Sequence, residues 1–94
     1  MYTQYLSEFI GTLIFVLAIV MTSSPLIVAG TFLAVILLIG PFSGGHINPA
    51  VTLAMLFKGD MTFATAAPYI AAQVAGAIAA IQVAKYLKAR ISNM

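Results

Sequence analysis

Ser43-Gly44-Gly45-His46-Ile47-Asn48-Pro49-Ala50-Val51-Thr52 is a polar, glycine-bearing stretch set between two long apolar runs. It has the order of a sharp turn followed by a helix start. Gly44 and Gly45 let the chain fold back, Asn48 is a preferred N-cap, and Pro49 suits the first helical position, where its missing N–H would have had no partner. From Pro49 to about Phe57 the helix counts nine residues, or roughly 14 Å against a hydrocarbon core of about 30 Å. Such a helix reaches the midplane of a bilayer without crossing it. Lys58-Gly59-Asp60 then closes it, with a cation at its negative end and a glycine suited to the position after the last turn.

Composition puts this unit in a membrane. The 94 residues are 63% hydrophobic and 6% charged, with a mean hydropathy of +1.11, too few ionic groups to solvate a globular surface. A single domain, residues 1–94, accounts for the whole chain. The absence of cysteine excludes disulfides and leaves the compartment open. Four cations, Lys58, Lys85, Lys88 and Arg90, stand against Glu8 and Asp60, too sparse a set for a nucleic-acid surface. No lysine or arginine precedes the first apolar run, and a removable signal peptide is not expected. No cofactor or metal is expected either.

Working outward, the reading is an all-α membrane protein of three transmembrane helices and one re-entrant half-helix. The first span covers about residues 5–21 and carries Glu8, either an interfacial carboxylate or a bundle-facing acceptor for buried backbone N–H groups. Thr22-Ser23-Ser24-Pro25 reads as a turn with Ser24 capping the next helix. The second span runs over about 25–40, with Gly30 as a point of close helix contact and Pro41 marking its exit. The third covers about 65–87, where Ala72, Gly76 and Ala80 form one ridge of small residues and Ala67, Ala71, Ala75 and Ala79 its neighbour. Gln73 lies inside this span, as an interhelical hydrogen-bonding residue that supports the loop, the preferred reading, or as a pore-lining one. Lys85, Tyr86, Lys88 and Arg90 make an interfacial anchor. His46 is a hydrogen-bonded loop anchor or a pH-responsive group near a pore mouth.

The stretch from Ser43 to Thr52 resembles the first asparagine-proline-alanine loop of the aquaporin and glycerol-channel family. Ser7-Glu8-Phe9-Ile10-Gly11-Thr12 resembles that family's first helix, and the run from Tyr69 through Gln73 and Gly76 to Ala77 its third. Three segments in the right order over about eighty residues make the likeness specific. It covers one half of a family member: no second Asn-Pro-Ala followed by arginine occurs in these 94 residues. The resemblance implies that Asn48, Pro49 and Ala50 line a pore at the tip of the half-helix, and that Glu8 and Gln73 brace the loop. It also implies that Val28 stands where the family's filter carries an aromatic, and that Val51, the residue after the motif, lines the path.

Non-helical backbone at membrane depth persists only where protein buries it or a water-filled cavity adjoins it, so this loop implies a pore. One half-helix leaves half of that pore to a partner. The expectation is a passive channel, not an enzyme, for water and small neutral solutes such as glycerol. Its pore would form within an antiparallel homodimer in the lipid bilayer, with dimers grouped further as resemblance to tetrameric family members implies. Two other classes stand beside it: a three-span homodimeric carrier, and a non-transporting assembly subunit or degenerate fragment.

Overall fold

The computed structural model describes residues 2–93, and among them four helices follow one another. They are α1 (Thr3–Met21), α2 (Pro25–Ser43), α3 (Pro49–Lys58) and α4 (Phe63–Ser92). α1, α2 and α4 are each long and apolar enough to cross a membrane. At 10 residues, α3 extends about 15 Å and does not span one. The chain is an integral, multi-pass membrane protein.

α1 is the central helix, packed against both α2 and α4, while α3 rests on α4. The three-residue connector between α1 and α2 makes them antiparallel neighbours. Its Ser24 accepts from Ile27 N–H at 3.2 Å and Pro25 opens the helix. The end of α2 returns to the start of α1, where Ser43 Oγ donates to Glu8 at 2.6 Å. α4 begins at the same end, with Tyr69 Oη donating to the Ser43 carbonyl at 2.8 Å. Lys58 therefore lies at one end of the bundle and Lys85, Lys88 and Arg90 at the other.

Several boundaries differ from the sequence reading. α2 continues through Pro41 to Ser43 instead of stopping near Gly40. So close to a helix end proline removes one bond, to the Leu37 carbonyl, and the last turn still closes because Gly44 N–H reaches Gly40 O at 2.8 Å. α2 thus has 19 residues, or about 28 Å, and needs no thinned bilayer. α4 starts at Phe63, where the Thr62 hydroxyl accepts from Thr65 N–H, and runs on to Ser92. Past Leu87 its residues leave the apolar layer and stay helical as good helix formers, with the Arg90 guanidinium over the Tyr86 ring one turn back. α1 starts at Thr3 and α3 ends at Lys58.

Gly30 makes no close contact among the described residues: a Cβ there would meet nothing within 4 Å. Close approach occurs on the two faces of α1 instead. A Cβ on Gly11 would lie 2.6 Å from Ile39 Cδ1 and 3.0 Å from Val35 and Ile47 methyls, and one on Gly76 would lie 2.5 Å from the Phe9 carbonyl oxygen. Of the two small-residue ridges, Gly76 and Ala80 are buried against the bundle and Ala67, Ala71 and Ala75 are exposed. Gly76→Ala should therefore separate α1 from α4 and destabilise the fold by about 1–3 kcal/mol. Gly30→Ala should be neutral or stabilising by up to about 1 kcal/mol. Thermal unfolding of both variants in detergent checks the contrast.

Candidate functional site: a braced loop and an open groove

Between α2 and α3 the chain turns through Gly44 and Gly45, at φ 87° and 68°, a left-handed region that glycine enters without a Cβ clash. Ile47 is also left-handed, at φ 44°. For a β-branched residue this is a strained conformation costing about 1–3 kcal/mol, and it holds only where its surroundings enforce it. Those surroundings are tight, since Ile47 is 3% exposed and packs against Gly11.

The enforcing group is the Glu8 carboxylate. One oxygen accepts from Ser43 Oγ at 2.6 Å and from His46 N–H at 3.1 Å. The other accepts from Ile47 N–H at 2.7 Å and from Gln73 Nε2 at 2.9 Å. Glu8 is 0% exposed, so those two consecutive loop N–H groups take from it the acceptor that helix geometry denies them. Gln73 Nε2 also donates to Thr52 Oγ1 at 2.8 Å, tying loop and half-helix to α4. These two bonds fix the amide orientation, because a flip would set the amide oxygen against the carboxylate. Gln73 Oε1 and Thr12 Oγ1 are buried without a hydrogen-bond partner among the described residues.

His46 Nδ1 lies 2.9 Å from Thr52 Oγ1. Thr52 Oγ1 thus joins His46 to the Gln73 amide, with the donor of the His46–Thr52 pair set by the imidazole tautomer. The imidazole sits beside the Tyr69 ring, with centroids 5.0 Å apart. His46 is thus half-buried within the network, and Glu8 and Gln73 lie inside the bundle.

Asn48 faces the other way. Its Oδ1 caps α3 by accepting from Ala50 N–H at 2.9 Å, while Val51 and Thr52 N–H groups bond the Asn48 carbonyl. The free ends of the half-helix are thereby satisfied. With Oδ1 engaged, the amide nitrogen has no protein partner among the described residues, and Asn48 is exposed on an open groove of about 460 Å³. Phe15, Pro25, Val28, Ala29 and Phe32 make the rest of its lining, so Asn48 is its one polar residue. Val51 is half-buried and, like His46, is not part of that lining.

Ser43, Thr52 and Tyr69 belong to the network and were not singled out from the sequence. Tyr69 had a signal: it lies four residues before Gln73, on the same helical face. The two hydroxyl residues had none beyond their place in the loop.

Residues 21–94 match the model of the major intrinsic protein family. The chain belongs to the major intrinsic protein family. Among curated members, glycerol uptake facilitator protein-like 6 of Lactiplantibacillus plantarum is 42% identical over 88 residues, covering 82% of this chain and 40% of that protein. Rat aquaporin-5 is 56% identical over 41 residues, 44% of this chain and 16% of that protein. Rat aquaporin-2 is 44% identical over 86 residues, 79% of this chain and 32% of that protein. This major intrinsic protein spans less than half the length of these relatives. No solved structure matches significantly.

Glu8→Gln should test the brace, since it turns one acceptor oxygen into a donor that faces donors. The expected destabilisation is about 3 kcal/mol, from an orphaned buried N–H and lost charge-assisted bonds, against about 1 kcal/mol for Tyr69→Phe, which loses one neutral bond. Unfolding midpoints of the two variants in detergent should fall in that order.

Proposed function

We propose that this chain supplies half of a passive membrane channel for water and small neutral solutes such as glycerol. The observation that carries the reading is the Asn48 amide, held by its cap and left with free donors in an otherwise apolar groove. Such a group replaces part of the hydration of a passing water or hydroxyl while the apolar wall adds no competing bonds. The positive end of the α3 dipole lies at the same point and disfavours cations. Pro49 and Ala50 keep the tip of α3 slim, and Val28 takes the place of an aromatic filter residue. The names of the relatives, a glycerol uptake facilitator and aquaporins, support the same solute class.

The groove is open on one side and α3, at 10 residues, accounts for only about half of a hydrocarbon core, so the path needs a second half. A second copy of this chain, inserted in the opposite sense, supplies it in our reading, as in folds built from inverted repeats. Charge distribution permits both insertions. Three cations at the far end of α4 stand against Lys58, itself 3.3 Å from Asp60. This modest bias opposes the orientation that the family likeness implies. His46, Glu8 and Gln73 serve as loop support in this scheme and Val51 flanks the tip of α3.

The test is stopped-flow light scattering on proteoliposomes together with labelling of Ser92→Cys in a chain with no other cysteine. Fast shrinkage in an impermeant osmolyte, re-swelling in glycerol, and labelling from both sides of the membrane in comparable amounts are expected. Absence of water flux removes the channel reading. Flux with one-sided labelling replaces the antiparallel copy by a different second half.

A further inference from the structure

The groove residues 25, 28, 29 and 32 follow the spacing of a single helical face of α2, and Phe15 of α1 stands beside them. Their sizes are uneven. Pro25, Val28 and Ala29 are small, and one turn further along α2 Phe32 presents a full ring, 38% exposed. Phe15 backs that ring with centroids 5.0 Å apart at 51°. A phenylalanine on a helix leans toward the preceding turn and has few rotamers there. Phe15 lies against the Phe32 ring, and both rings line the groove.

Phe32 is also at the right depth. It lies seven residues into α2 and Phe15 six residues from the end of α1, which puts both within about 5 Å of the middle of their helices. Asn48 lines the same groove from the tip of α3. One wall of the groove thus carries an apolar ring and another the amide, whereas Val28 and Ala29 are small and aliphatic. Phe42, the other aromatic of α2 near the loop, is 61% exposed and does not line the groove.

We propose that Phe32, with Phe15 against it, is the size-determining residue of the permeation path, so that the constriction lies one helical turn further along α2 than Val28, in the groove that Asn48 lines. The assignment rests on the channel reading above. A neutral solute then passes with one face against the ring, dehydrated, and hydroxyls turned toward Asn48. Its cross-section beside the ring, not the width at residue 28, sets the cut-off.

The experiment measures water, glycerol and erythritol permeabilities of proteoliposomes holding wild type, Phe32→Ala, Phe32→Leu or Val28→Ala. Phe32→Ala should raise the erythritol-to-water ratio by about tenfold or more, Phe32→Leu by an intermediate factor, and Val28→Ala by less than about twofold. Should Phe32→Ala not assemble, Phe32→Leu and Phe15→Leu keep most of the apolar volume and carry the same comparison. A shift with Val28→Ala that equals or exceeds those of the Phe32 variants overturns the assignment. So does a ratio unmoved by any variant, the result for a groove facing lipid. Wild type without water flux overturns the channel reading itself, an outcome separate from a conducting wild type whose selectivity ignores Phe32.

Discussion

Two neighbouring backbone N–H groups, those of His46 and Ile47, need an acceptor at a depth where water is scarce, and Glu8 is that acceptor. The rest of the structure depends on this constraint. A loop that enters the membrane cannot complete its own hydrogen bonds, and each unmatched group would cost about 1–3 kcal/mol even with partial relaxation. The carboxylate meets four donors with its two oxygens, which offsets the burial of a charge in a bundle with few other polar groups. It also enforces the left-handed Ile47, which turns the chain so that Asn48 emerges facing the groove instead of the core.

For Glu8 to reach the loop, α1 must be the central helix and its neighbours must lie close. Gly11 admits Val35, Ile39 and Ile47 on one side of α1, and Gly76 admits the Phe9 backbone on the other. The same packing brings Gln73 onto the carboxylate and Thr52 together. Support and groove are consequently separate: the hydrogen-bonded network occupies the inside of the bundle, and the open face keeps a single amide among apolar side chains. Glu8, Gln73 and Thr52 therefore hold the loop from inside, while Phe15, Val28, Phe32 and Asn48 lie on the open face.

Much of this was legible in the sequence, because it rests on local chemistry. Asn48-Pro49 announces a helix start wherever it occurs before a helical run, the two glycines announce the reversal, and the apolar spans are set by composition. What stayed hidden depends on tertiary placement. Periodicity yields two small-residue ridges on α4 without saying which meets α1, and Gly30 looks as suited to a helix contact as Gly76. Pro41 reads as a stop because the sequence does not show that the lost bond lies in the last turn. Ser43 and Thr52 are small hydroxyls in a turn until Glu8 and Gln73 are brought beside them. Phe32 is one apolar residue among many on α2 until Phe15 and Asn48 are brought to the same groove.

Backbone amide exchange of the intact protein, resolved by residue, measures the brace most directly. With Glu8 holding the loop, His46 and Ile47 amides should be protected to about the degree of the α1 and α4 interior, although they lie outside any helix. Their exchange at the rate of an exposed connector amide without a hydrogen bond, such as that of Thr62, would contradict a carboxylate-held loop and with it the orientation given to Asn48.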